Sequence, residues 1–213
     1  MTQEGKAGRV WPRRQERAAR TRVAVVGAAT RLLVDRGYAA TTMADIALAA
    51  GVSRATVFNA VGGKAAVLRT CYDVAVVGDD EPIPLPERPE LMAVRDEPDQ
   101  RRSITLYAAV IAGIGERLSA IYEVFRAASL SDPEISNLWS DIQQQRLHGA
   151  RGFVTILNSK GPLRAGLDPD RAGDIVWTLI DASLYHRFCH DRGWQRTDFE
   201  LWLADTLEAQ LLD

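Results

Sequence analysis

The chain of 213 residues is 46% hydrophobic and 25% charged, with a formal net charge of −2. It is long and apolar enough to bury a core, which excludes a globally disordered protein. No apolar run approaches the roughly 18 residues that span a bilayer, and no signal-peptide pattern opens the chain, so we expect no membrane contact. The two cysteines, Cys71 and Cys189, fit no spacing motif, so we expect no disulfide framework and a cytoplasmic location.

The charge is divided unevenly along the chain. Residues 1–77 hold 12 Lys and Arg against 5 Asp and Glu, a net of +7, whereas residues 78–213 carry a net of −9. A basic N-terminal third on an acidic body predicts that the first part meets a polyanion. Residues 1–16 are expected to form a basic, flexible arm, which is either a simple solvated tail or a tail in loose contact with phosphates.

Helical periodicity of the apolar residues runs through the sequence, and no segment alternates as a strand would. Gly37 is placed to end a first helix and Gly51 a second, and the Gly62-Gly63 pair ends a third. Thr42 and Ser53 are typical N-caps of the second and third helices. The sequence therefore predicts four helices in its first part, over residues 17–36, 43–50, 54–60 and 64–77.

A stretch rich in proline and acid, residues 78–90, cannot continue a helix. We place a domain boundary here and expect a linker over residues 78–98. The pattern thus divides the chain into an arm (1–16), a helix-turn-helix domain (17–63), a connecting helix (64–77), the linker (78–98) and a helical domain (99–213). The fold class is expected to be all-α, with the three-helix N-terminal domain followed by a C-terminal bundle.

Longer helices are expected in the C-terminal bundle. Asp132-Pro133 and Asp168-Pro169 each combine an N-cap with a proline at the first helical position. The capping box of the last helix is expected to be Thr197 with Glu200. Gly113 and Gly115 lie inside a helix, where glycine is unfavourable. They indicate close helix packing or, alternatively, room for a ligand.

Two short helices joined at residues 51–53 are typical of a helix-turn-helix, whose second helix enters the major groove. On that helix Arg54 can donate to guanine, and Asn59 can pair with adenine. Thr56 can touch a thymine methyl or hold a phosphate, and Ala55 is small enough for a close backbone approach. The alternative is a plain solvated helix face.

The run AATRLLVDRGYAATTMADIALAAGVSRATVFNAVGGKAAVL, residues 28–68, carries an ordered set of matches to a known family. They are Gly37-Tyr38, Thr41-Thr42, Ile46-Ala47, Ala50-Gly51-Val52-Ser53, Thr56-Val57-Phe58 and Lys64. With them the chain resembles the tetracycline-repressor (TetR) family of bacterial transcriptional regulators. The resemblance implies a homodimer that binds a palindromic operator in double-stranded DNA. It also implies a C-terminal domain that binds a small effector, forms the dimer interface and releases the DNA when the effector binds.

The resemblance also assigns roles to single residues. Thr42 and Lys64 correspond to phosphate contacts at the starts of the second and fourth helices. Phe58 lies on the recognition helix where the family usually has tyrosine, and Ala60 stands where it usually has histidine. Both departures remove polar groups that could hold phosphates. We hypothesise that the arginine-rich segment 13–22 compensates for them.

The effector side of the sequence is less informative. Aromatic side chains on helical stripes favour an apolar or aromatic effector, although such stripes more often belong to a core. The candidate contacts are Tyr107, Ile111, Phe125, Trp139, Phe153 and Trp177. The alternative function is a DNA-binding regulator whose C-terminal domain docks a protein partner, and an enclosed cavity would distinguish the two.

An enzymatic function is not expected. The sequence contains no phosphate-cradling glycine loop, no nucleophile elbow and no strongly spaced metal-ligand pair. His186, Cys189 and His190 share one helical face and could bind zinc or copper, but a helix surface near the dimer interface is the favoured interpretation. We expect no cofactor and no metal.

Overall fold

The computed structural model describes residues 13–79, 81 and 83–213, and within these ranges the chain is helical without strands, as predicted. The predicted arm lies outside the described residues as far as residue 12, and the first helix begins at Arg13. The α-helices are α1 (Arg13–Ala40), α2 (Met43–Ala49), α3 (Arg54–Val61), α4 (Lys64–Val77), α5 (Pro89–Asp96), α6 (Gln100–Ser129), α7 (Pro133–Asn158), α8 (Pro169–Leu179), α9 (Ala182–Tyr185) and α10 (Arg196–Leu211). A 3-10 turn, Leu85–Glu87, precedes α5, and a π-helical turn, His186–Asp191, follows α9.

Helices α1–α3 form a unit that we call the head. Gly37 interrupts the helical path of α1 with a φ of 77°, a conformation that favours glycine. Helical hydrogen bonding resumes to Ala40, four residues beyond the predicted end. The buried Thr41 fixes this bend, because its hydroxyl lies 3.1 Å from the Leu32 carbonyl oxygen and 2.9 Å from that of Gly37.

The core of the head continues through α4 into helices α5–α10, which we call the body. Leu33, Ile46 and Val57 of the head are buried in one apolar cluster with Leu68 of α4 and Phe125 of α6. A second cluster fills the other end of the body, between α5, α6, α7, α8 and α10. Helix α4 packs on both α1 and α6, so it joins the head to the longest helix of the body.

Two sequence expectations in the body are wrong. The predicted linker contains α5, which Pro89 opens at its first position and whose Val94 is buried. A proline that cannot continue one helix is well suited to start the next. The N-cap of the last helix is Gln195, whose backbone amide donates to the Asp198 carboxylate at 3.1 Å, so the capping box is Gln195–Asp198 and not the predicted Thr197–Glu200.

Helix α6 is long and apolar enough to cross a membrane by length and composition alone, with a mean hydropathy of 1.4 in its most apolar window. In the molecule it packs against α1, α4, α5, α7, α9 and α10. Its apolar side chains are therefore explained by their burial between neighbouring helices.

Gly115 of α6 lies in one of the closest helix contacts in the body. A Cβ at this position would lie 2.7 Å from two ring carbons of Tyr185, which is buried under α6. We expect Gly115→Ala to lower the free energy of unfolding by about 1–3 kcal/mol, because the added methyl group would force the buried ring to shift. Gly149→Ala in α7 is the matched control, since no atom lies within 4 Å of its added Cβ. It is expected to stabilise by about 0.5–1 kcal/mol, and urea denaturation of both variants measures the difference.

Candidate nucleic-acid interface

The turn between α2 and α3 sets the direction of the recognition helix. Gly51 adopts a φ of 67°, and the Val52 amide donates to the Ala47 carbonyl at 3.0 Å. Val57 is fully buried, which anchors one face of α3 on the head. The opposite face of α3 is left on the surface.

The predicted base-reading residues occupy that surface. Arg54, Ala55 and Asn59 are exposed, and the Phe58 ring is 63% exposed. Thr56 is half-buried, and its hydroxyl lies 2.8 Å from that of the N-cap Ser53. The methyl group of Thr56 is therefore better placed for a base contact than its hydroxyl, which already has a partner.

Thr42 caps α2 through a reciprocal capping box. Its hydroxyl lies 2.6 Å from the Asp45 carboxylate, and the Asp45 amide donates back to it at 3.1 Å. The hydrogen bonds from Thr42 lower the pKa of Asp45. The phosphate contact that the family resemblance implies for Thr42 would require its single O–H donor to leave Asp45.

Lys64 opens α4 beside Tyr38. Its ammonium lies 4.2 Å above the centre of the Tyr38 ring and 3.5 Å from the Ala39 carbonyl oxygen. Burial lowers the pKa of Lys64, and burial raises that of Tyr38 to about 12. The N-cap of α4, Gly63, supplies no side chain to the first amides. The start of α4 thus combines a fixed cation with uncapped amides, an arrangement that favours an anion such as phosphate.

Arg22 supports the recognition helix from behind, a role that the sequence did not suggest. Its Nη1 donates to the carbonyl of Ala60, the penultimate residue of α3, at 3.1 Å. A cation is favourable at a helix C-terminus, so Arg22 helps fix the end of α3 on α1. The contact spans 38 positions, and no local pattern could reveal it.

The six predicted effector contacts divide between the two apolar clusters. Tyr107 and Phe153 stack with ring centres 3.7 Å apart in the second cluster, which Ile111 and Trp177 flank. Phe125 and Trp139 pack in the first cluster. The buried Trp177 Nε1 has no hydrogen-bond partner among the described residues. The structure therefore does not gather the six around one space.

A cleft of about 610 Å³ lies elsewhere in the body, between the end of α4, α5 and α6. None of the six predicted residues lines it. It is bordered by the carboxyl-terminal turn of α4, the loop before α5 and the middle of α6, with Arg196 from the start of α10. Sequence reasoning missed it because its lining comes from four separate segments.

The histidines of the π-helical turn stack on one another instead of converging on a common point. The rings of His186 and His190 lie 4.8 Å apart at an angle of 28°. Among the residues that the structure describes, no group of three or more His, Cys, Asp or Glu is arranged to hold a metal ion.

Comparison with known proteins identifies the head. Residues 25–71 match the family described as bacterial regulatory proteins, tetR family. The fold resembles NalD of Pseudomonas aeruginosa, the secondary repressor of the MexAB-OprM multidrug efflux pump, with a TM-score of 0.67, 20% identity and coverage of 92% of this chain and 98% of NalD. It also resembles the transcriptional regulator FadR of Bacillus subtilis in complex with stearoyl-CoA, with a TM-score of 0.64, 18% identity and coverage of 87% and 96%. No curated protein matches the sequence.

At these identities the solved structures show the shared fold alone, whereas the sequence match covers the helix-turn-helix itself. Both comparisons, with the solved structures and with the family, agree with the exposed face of α3 and with the capped start of α2. Together they identify residues 25–71 as a TetR-family DNA-binding domain, in a chain with the all-helical fold of TetR-family transcriptional regulators.

Proposed function

We propose that the protein is an effector-responsive transcription regulator that binds a palindromic operator in double-stranded DNA as a homodimer in the cytoplasm. The observation that carries this proposal is the exposed face of α3, on which Arg54 and Asn59 stand in a sequence that matches the TetR family. Both side chains can form two hydrogen bonds to one base edge. We further propose that Thr42 and Lys64 hold the flanking phosphates.

Dimerisation would place two recognition helices about 34–36 Å apart, in successive major grooves. Trp194 and Leu201, near the start of α10, are exposed apolar side chains that a second copy of the chain could cover. Helix α4 would transmit an effector's presence, because it packs on the head and on α6. The effector must bind the released conformation more tightly than the DNA-bound one, otherwise the equilibrium does not move.

The role of repressor is supported by NalD, which is described as a repressor, and the role of effector by the stearoyl-CoA bound to FadR. The cleft of about 610 Å³ is open to solvent, and its volume is within the usual range of small-molecule sites. The six side chains named from the sequence stay a prediction for a ligand that enters the interior of the bundle.

Selection of binding sites from a random duplex pool tests this function. We expect the purified protein at moderate salt to enrich a palindrome whose half-sites are one helical turn apart. A single unpaired half-site would contradict the dimer, and salt-dependent binding without any enriched motif would contradict the recognition role of α3. The variant Arg54→Ala with Asn59→Ala is the control, and it should enrich no motif while keeping its fold.

A further inference from the structure

The cleft between α4, α5 and α6 is positively charged within an acidic part of the chain. Residues 78–213 carry a net charge of −9. The lining nevertheless holds three guanidinium groups, from Arg88, Arg117 and Arg196, against two carboxylates. Such an inversion of local charge marks a place where an anion is favoured.

One of the three cations is already neutralised. Arg88 is buried and binds Asp79 through two parallel hydrogen bonds of 2.5 and 2.7 Å. The hydrogen bonds from Arg88 lower the pKa of Asp79 to about 2, so the carboxylate is charged at neutral pH. This pair therefore joins the loop after α4 to the start of α5, and the lining retains Arg117 and Arg196 against one further carboxylate, that of Glu90.

Arg117 and Arg196 converge on one point of α6. A Cβ added to Gly113 would lie 3.2 Å from Nη2 of Arg196 and 3.7 Å from Nη1 of Arg117. The other nitrogens of Arg117 are used, since Nε donates to the Ala75 carbonyl and Nη2 to that of Val76. Nη1 of Arg196 pairs with the exposed Glu116 at 3.2 Å. Both guanidinium groups thus lie over Gly113, at one point of the cleft wall.

The rest of the cleft wall is aliphatic. Its apolar side chains come from the end of α4, the turn before α5, α5 itself and α6, and none of them is aromatic: Val76, Val77, Leu85, Leu91, Leu106, Val110 and Ile114. Leu106 is 37% exposed, so part of this apolar wall faces water. Burial of that surface by a flexible hydrocarbon chain would be favourable.

We propose that this cleft binds a small aliphatic monocarboxylate, with the carboxylate between Arg117 and Arg196 and the chain against the aliphatic wall. The inference rests on the proposed function in one respect, that the bound molecule acts as the effector. Two guanidinium groups suit a carboxylate better than a neutral head group, because each of these hydrogen bonds is charge-assisted. The cleft volume of about 610 Å³ admits a chain of medium length.

The same site connects to α4 through Arg117. This side chain caps the C-terminal carbonyls of α4, at Ala75 and Val76, while it borders the cleft. A carboxylate that draws the guanidinium toward Gly113 weakens this cap. Occupancy of the cleft would thereby alter the last turn of the helix that joins head and body.

Calorimetric titration of the full chain with the straight-chain series from hexanoate to dodecanoate tests the site. Affinity should rise about fourfold per added methylene while the chain still lies inside the cleft. Decanoate should bind at least tenfold more tightly than decan-1-ol, which has the same chain without the charge. Equal affinity for the acid and the alcohol, or no binding by any member of the series, would overturn the proposal.

Three variants locate the binding. Arg196→Gln should weaken decanoate binding about tenfold or more, and Arg117→Gln should do so as well. Glu116→Gln removes the present partner of Arg196 and should tighten binding several-fold, a gain that no general loss of folding could imitate. Arg102→Gln changes an exposed arginine at the start of α6, outside the cleft, and should have no effect. Unchanged affinity in both Arg196→Gln and Glu116→Gln would contradict the placement of the carboxylate.

Measurements of operator affinity distinguish a failure of the proposed site from a failure of the proposed function. Decanoate should lower the affinity of the wild type for its selected operator, and Arg117→Gln should abolish this response. If decanoate binds and the operator affinity stays constant, the effector role of the site is wrong. If no operator can be selected at all, the proposed function fails, and the calorimetric results still decide whether the cleft is a carboxylate site.

Discussion

Replacing Arg54 with alanine is expected to weaken binding of the dimer to the selected operator about thirtyfold or more, since each of the two half-sites loses a bidentate contact worth about 1–3 kcal/mol. The loss should be confined to specific DNA, and the preference at one base pair of each half-site should relax. Fluorescence anisotropy with the operator and with a random duplex measures both affinities. Arg54 is exposed, so the variant should unfold at the wild-type temperature.

Lys64→Ala and Arg102→Ala provide the comparison for this result. Lys64 is proposed to hold a phosphate, so its loss should weaken specific and random DNA alike and reduce the salt slope of the dimer by about two, one for each subunit. Arg102 lies in the body and should change neither. If Arg54→Ala weakened operator and random DNA by the same factor, Arg54 would be a phosphate contact and not a reader of sequence.

The Asp181→Asn variant should have the largest effect on stability, lowering the free energy of unfolding by about 3 kcal/mol at neutral pH. Asp181 lies 3.0 Å from Arg146, and their side chains are only 28% and 11% exposed. Tyr122 donates to the same carboxylate at 2.7 Å. Loss of the carboxylate charge leaves Arg146 without a counter-charge in a mostly buried place, which is costly. Asparagine retains the N-cap of α9, so the effect of charge is isolated.

A matched exposed pair tests that explanation. Asp96→Asn disrupts the ion pair with Arg95, whose side chains are 62% and 54% exposed, and should cost less than about 1 kcal/mol. Adding Arg146→Met to Asp181→Asn should recover part of the lost stability, because the isolated cation is removed. Equal destabilisation by the two Asp→Asn changes in urea denaturation would show that burial does not determine the strength of the pair.

Low pH should weaken the ion pair between Asp181 and Arg146. Burial alone would raise the pKa of Asp181, but the Arg146 charge and the hydrogen bonds from Tyr122 and Ser183 outweigh it, so the pKa is lowered. The folded-state pKa therefore lies below that of the unfolded chain, near 3.9. The stabilisation is complete above the unfolded value and is lost as the pH falls through the folded value. The difference between wild type and Asp181→Asn should therefore narrow below about pH 4.

Local sequence signals were sufficient to predict a helix boundary wherever a single residue determines it. Helix α4 has its predicted bounds because Gly63 and Gly78 stand at its two ends. Helix α7 begins as predicted at Pro133, where the Asp132 carboxylate accepts two amide hydrogen bonds. The recognition helix was equally predictable, since its cap, its buried Val57 and its exposed face all follow from the short sequence of residues 51–61.

Features created by distant contacts were not predictable. Helix α8 ends at Leu179, and Asp181, two residues further on, contacts Arg146 and Tyr122 on two other helices. The cleft depends on Gly113, which sequence reasoning associated with close packing or ligand space without choosing a neighbour. In the structure Gly115 serves the packing, against Tyr185, and Gly113 borders the cleft.

The ion pair between Asp79 and Arg88 has a mechanical consequence for the whole molecule. It joins the C-terminal end of α4 to the N-terminal end of α5, between residues nine positions apart. Arg88 also donates to the carbonyls of Glu81 and Ile83. A flexible linker between two parts of a protein allows one part to move without displacing the other. Here a bidentate ion pair, in which Arg88 is buried and Asp79 partly exposed, connects the ends of the two helices directly. A shift of α4 is therefore passed on to α5 and α6 with little compliance.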